Sequence, residues 1–157
     1  MTNRMRRTLI MGAASAVPVT LAAGVGLLIP ARVLAADGSR AAFEAKGLAD
    51  ALKSIGAASP AGSKDIVIKV PEIAENGTVV PVEVLSNIAG TDSIHLLVEK
   101  NPFPLNSTFR FSNGAESYVS TRIKMGQTSM LHVVVKAGDK FYTAAREVKV
   151  TIGGCGG

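Results

Sequence analysis

Val119-Ser120-Thr121-Arg122-Ile123-Lys124-Met125, Leu131-His132-Val133-Val134-Val135-Lys136 and Glu147-Val148-Lys149-Val150-Thr151-Ile152 share one period. Val119, Thr121, Ile123 and Met125 alternate with Ser120, Arg122 and Lys124. Leu131, Val133 and Val135 alternate with His132, Val134 and Lys136. Val148, Val150 and Ile152 alternate with Glu147, Lys149 and Thr151. Successive side chains of an extended chain point to opposite faces, so a period of two is the mark of a half-buried strand. Gly138-Asp139 is a hairpin signal leading into the last run, Phe141 to Ile152.

Upstream the same period begins at Asp65, where Ile66, Ile68 and Val70 alternate with Val67 and Lys69. Asn76-Gly77 marks a turn before the run 79–85. Pro81 lacks a backbone N–H, so it predicts an edge strand or a bulge there. Residues 94–99 form the next apolar run, closed by Asn101-Pro102-Phe103-Pro104. Residues 107–111 make a short strand, and Asn113-Gly114 turns the chain again. About seven short strands with turns between them predict an all-β fold, an immunoglobulin-like β-sandwich over residues 64–152. One Cys and no Trp exclude the antibody disulfide and its core tryptophan.

Residues 40–56 carry a helical period instead. Phe43, Leu48, Leu52 and Ile55 line one side with Ala41, Ala45 and Ala49, and Glu44, Lys46, Asp50 and Lys53 are polar. Gly56 ends this helix, and 57–63 reads as a small-residue linker with Pro60 and Gly62 as breakers. Residues 36–63 therefore form an N-terminal helix and linker.

Residues 1–35 have the tripartite plan of an export signal. Arg4, Arg6 and Arg7 open it, 24 residues from Thr8 to Ala31 carry no charge, and Val33-Leu34-Ala35 precedes a cut after Ala35 or Ala36. The run Arg6-Arg7-Thr8-Leu9-Ile10 reads as a twin-arginine signal, placing the protein in the periplasm. A run of this length can also span a bilayer, but Pro18, Gly24 and Gly26 weaken it as a permanent helix, so stable membrane insertion is not expected. Twin-arginine substrates leave folded, often with a cofactor or with a partner lacking its own signal. No cofactor site is visible here, which favours the partner.

The leader also explains the charge. The net charge is +5, but the leader holds four arginines and no acid, and beyond it 13 basic residues face 12 acidic ones. No arginine run or basic face remains that would recognise nucleic acid.

The sequence closes on Gly153-Gly154-Cys155-Gly156-Gly157. Alternation persists to Ile152, so the most permissive backbone follows a strand directly. Three residues from Ile152, the Cys155 Cα can reach roughly 10 Å, and its glycine neighbours let the thiol enter a narrow channel. That geometry suits a carrier arm presenting a covalently attached group. Two plainer readings stand beside it: a disordered tail, or a cysteine that only pairs between chains. No helix N-terminus lies nearby in sequence to lower the thiol pKa. At an ordinary value of about 8.5, only about 3% is thiolate at pH 7, so a partner active site would supply the activation.

Together, Gly153–Gly157, Val98-Glu99-Lys100-Asn101-Pro102 and the segment from Ser120 to Ser129 resemble the thiosulfate-oxidation carrier family SoxY. The helix region and leader are similar to that family as well. The resemblance implies a heterodimer with a small SoxZ-like subunit and sulfur intermediates carried on Cys155, with Gly153, Gly154, Gly156 and Gly157 as the arm. It implies three further partners. A c-type cytochrome complex joins thiosulfate to the thiol, a manganese-dependent hydrolase releases sulfate to leave a persulfide, and a sulfane dehydrogenase, where present, oxidises the remaining sulfur. The carrier itself holds no catalytic residue, cofactor or metal. The competing function is an exported immunoglobulin-like binding module whose Cys155 only forms a tethering disulfide.

The remaining motifs predict no chemistry. His95 and His132 lie in separate strands without ligand-spaced Cys or paired carboxylates. Three of five Met fall in the leader, so no methionine-rich copper cluster exists. Asn76-Gly77-Thr78 and Asn106-Ser107-Thr108 match glycosylation acceptors and are read as turns. No Ser/His/Asp arrangement or phosphate loop is visible. Arg122 and Lys124 share a strand face, either solvated or a docking surface.

Overall fold

A computed structural model of the chain describes residues 37–152. The leader and the Gly153–Gly157 segment, including Cys155, lie outside the described residues. Two short helices come first, α1 (Asp37–Glu44) and α2 (Leu48–Ser54). Nine strands follow among the described residues: β1 (Ala61–Gly62), β2 (Ile66–Lys69), β3 (Ile73–Asn76), β4 (Val80–Ser86), β5 (Thr91–Val98), β6 (Leu105–Arg110), β7 (Tyr118–Ile123), β8 (Ser129–Ala137) and β9 (Lys140–Ile152).

The strands form two sheets in a sandwich. The larger has the order β1-β9-β8-β5-β6, with β3 also on β9; the smaller is β2-β4-β7. The expected all-β sandwich is present. Its two extra strands, β1 and β3, are short and pair in parallel with β9.

The main core fills the space between the sheets. Val80, Val82, Val84, Ile94, Leu96, Leu131, Val133 and Val135 are fully buried or nearly so, and Ile123 and Met125 close one end. These are the inward positions of the period-two runs. A second cluster lies on the outer side of the large sheet, where Leu97, Leu105 and Val134 pack against Ala42, Ala51 and Ala57. The helices thus cover the outward face of β5 and β8. That is why β5 is buried continuously from Ser93 to Val98 and reads as an apolar run rather than an alternation.

Two local expectations are corrected. The single helix over 40–56 is broken in two, because Gly47 takes φ 106 and ψ 148, a conformation open to glycine and closed to helices. Its predicted end does hold. Gly56 has φ 83, its N–H donates to Lys53 O (2.9 Å), and the Ala57 N–H donates to Leu52 O (2.8 Å), a Schellman closure. Pro81 lies in the central strand of the small sheet, not in an edge strand. It is tolerated because β2 ends at Lys69, opposite Glu83, so no β2 neighbour stands beside residue 81.

Candidate functional site

The predicted attachment site, Cys155, and its flanking Gly153, Gly154, Gly156 and Gly157 lie outside the described residues. The structure does describe the backbone from which that segment departs. β9 is fastened along both edges towards its end. The Val150 N–H donates to Thr128 Oγ1 (3.0 Å) on the β8 side, and the Lys149 N–H donates to Glu72 O (2.9 Å) on the β3 side. Thr151 Oγ1 donates to Glu75 O (2.9 Å), and β3 runs parallel to β9 up to the pairing of Asn76 with Ile152.

Ile152 is tied as well. Its carbonyl accepts the Gly77 N–H at 2.8 Å, and Gly77 O accepts the Met125 N–H at 2.7 Å. The turn holding Gly77 is shaped by Asn76 Oδ1, which accepts from the Thr78 N–H (2.8 Å) and Thr78 Oγ1 (2.6 Å). Met125 is fully buried, so this attachment is anchored in the main core.

The two internal segments that carried the family resemblance meet at this end. Asn101 Nδ2 donates to Lys124 O (2.8 Å), and Asn101 Oδ1 accepts the Gly126 N–H (3.0 Å). One side-chain amide thus grips the backbone on both sides of Met125. The Lys100 N–H donates to Ser129 Oγ (3.0 Å) and the Glu99 N–H to Met130 O (3.1 Å). Apart from the family resemblance, the sequence marks Asn101-Pro102 as a turn. Its partners lie more than twenty residues away, and no local pattern announces them. Gly77 and Thr128 were missed for the same reason.

Arg122 and Lys124 are exposed near this end. Asn76-Gly77-Thr78 is a turn as expected, but Asn106-Ser107-Thr108 is not: these residues lie within β6, paired with β5.

The two histidines stay apart. His95 is buried on the outward face of β5, with Nε2 3.0 Å from Ser93 Oγ and Nδ1 3.0 Å from Thr108 Oγ1. Burial, reinforced by the positive charges of Arg110 and Lys136, lowers its pKa from 6.5 to about 4. This neutral, hydroxyl-flanked imidazole has no carboxylate among these partners and makes a structural link between β5 and β6. His132 lies 3.1 Å from Glu99 Oε2. Among the described residues, no three His, Cys, Asp or Glu side chains gather as metal ligands. No helix among them is long and apolar enough to cross a membrane.

Comparison with known proteins places the chain. The family model for sulfur oxidation protein SoxY matches residues 52–155. The solved structure of the sulfur carrier protein SoxY from Chlorobium limicola f thiosulfatophilum is 42% identical, with a TM-score of 0.61, covering 71% of this chain and 98% of that one. A chain from a structural study of T cell activation by toxic shock syndrome toxin-1 is 14% identical with a TM-score of 0.39, covering 54% of this chain and 98% of that one. It is too distant to carry an argument. No curated protein matches the chain.

Proposed function

The chain belongs to the SoxY family of sulfur oxidation proteins, and from that premise we propose that it holds thiosulfate-derived sulfur covalently on Cys155 in the periplasm. The observation that carries the reading is the 42% identity to a solved sulfur carrier over nearly that carrier's whole length. The family match also extends to residue 155, the cysteine itself.

The proposed cycle leaves the chemistry to partner enzymes. Two-electron oxidation by a c-type cytochrome complex joins the outer sulfur of thiosulfate to the Cys155 sulfur, releasing the thiol proton. A manganese-dependent hydrolase then uses water to remove the terminal sulfone as sulfate, leaving a persulfide. That species is among the reversible modifications of cysteine. A sulfane dehydrogenase, where present, oxidises the remaining sulfur, and a second hydrolysis restores the thiol. Gly153, Gly154, Gly156 and Gly157 give the thiol a slender arm, and the sandwich supplies a fixed base for it. A small SoxZ-like subunit pairs with the chain, and the leader exports the two together by the twin-arginine route.

Replacing Cys155 with Ser tests this in cells. Cys155→Ser abolishes thiosulfate consumption while the folded protein still accumulates. Normal consumption by the Cys155→Ser strain contradicts the carrier role. A stable mixed disulfide through Cys155, with no sulfur adduct, supports the tethering module instead.

A further inference from the structure

We infer that Asn101 is a positioning residue for the carrier, setting through its side-chain grip on Lys124 and two backbone links the direction in which the chain leaves Ile152. The inference rests on the carrier reading of Cys155. It starts from the planarity of the peptide unit, which makes a carbonyl and the following N–H one rigid plate. Lys124 O and the Met125 N–H belong to one such plate. Asn101 Nδ2 holds its carbonyl end at 2.8 Å, and Gly77 O holds its N–H end at 2.7 Å. The second arm of the Asn101 amide accepts the Gly126 N–H at 3.0 Å, which prevents the plate from tilting about Met125. Gly77 passes the constraint on, because its N–H donates to Ile152 O at 2.8 Å.

The Ile152 carbonyl is itself one end of the peptide plate that leads into residue 153. Its orientation therefore fixes the bond along which the chain continues. With this carbonyl released, β9 is held next by the Thr151 link, one residue earlier. The path from the last fastening to residue 153 then lengthens by roughly 3.5 Å. A longer tether lowers the effective concentration of its end at any one receiving site. Asn101 touches neither thiol nor cargo in this scheme and acts only through the plate it grips.

Asn101→Ala removes both side-chain links, and Asn101→Asp keeps the acceptor for Gly126 while losing the donor to Lys124. Val134→Ala, in the helix-side cluster, serves as a control for general destabilisation. In the full chain, amide exchange at Gly77 and Met125 is expected to quicken roughly tenfold in Asn101→Ala and less in Asn101→Asp, with Val133 unchanged. Sulfur loading of Cys155 from thiosulfate, in a thiosulfate-oxidising cell extract, is expected to slow several-fold in the same order. Alkylation of Cys155 by iodoacetamide should keep its wild-type rate, since a small reagent needs no docking geometry. Wild-type exchange at Gly77, or wild-type loading in Asn101→Ala, overturns the proposal. So does an equal loading defect in Val134→Ala. If the wild-type thiol takes up no sulfur in that extract, the carrier reading fails and the positioning role with it, while exchange at Gly77 still reports whether the links are coupled.

Discussion

His95 ties the stability of the sandwich to pH. Its folded pKa of about 4 lies below the unfolded value of 6.5, so between these limits the unfolded chain binds more protons than the native one. Stability from this group is fully present above pH 6.5 and is lost as pH falls towards 4. The linkage amounts to at most about 3.5 kcal/mol, at roughly 1.4 kcal/mol per pH unit. We expect the thermal midpoint to drop between pH 6.5 and 4 more steeply in the wild type than in His95→Gln. Parallel profiles would assign the acid sensitivity to the carboxylates instead. The sequence placed His95 in a strand but could not show Ser93 and Thr108 beside it. Thr108 belongs to a neighbouring strand, and the register that pairs it with His95 is a tertiary fact.

At the scale of elements, the helical pair depends on the break at Gly47. A Cβ at this position would meet nothing within 4 Å, so the cost of a side chain there is purely conformational. Gly47→Ala should destabilise the protein by roughly 1–3 kcal/mol, measured by denaturant unfolding. Gly62→Ala, equally open but at an ordinary φ, should change little. Equal effects of the two would show that the break is not held by the glycine conformation. The apolar spacing over 40–56 predicted the buried side only in part: Ala45, Leu48, Leu52 and Ile55 pack against the sheet-side cluster, but its fully buried helix members are Ala42 and Ala51, while Ala41, Phe43 and Ala49 are exposed. It missed the break because Gly47 does not interrupt the apolar spacing and a helix interior tolerates one glycine at modest cost. Pro81 shows the converse. Its missing N–H predicts an edge strand or a bulge, yet the residue lies in a central strand; the length of β2, which leaves its side open, is not encoded near residue 81.

At the scale of the whole molecule, the period-two runs were enough for a two-sheet sandwich, because core-facing positions in a strand repeat regardless of partner. Topology was less legible. The parallel pairing of β3 with β9 joins residues more than seventy apart and fixes the end from which residues 153–157 depart. The terminal motif, by contrast, was legible in sequence alone, since a single cysteine among four glycines needs no fold to be noticed. If Cys155 carries sulfur from thiosulfate, intact-mass analysis and peptide mapping of the periplasmic protein from thiosulfate-grown cells will show it. Added sulfur is expected only on the tryptic peptide that begins at Val150, removed by thiol reductant and absent from cells grown without thiosulfate. An unmodified peptide under turnover, or sulfur on any other peptide, would contradict the carrier role.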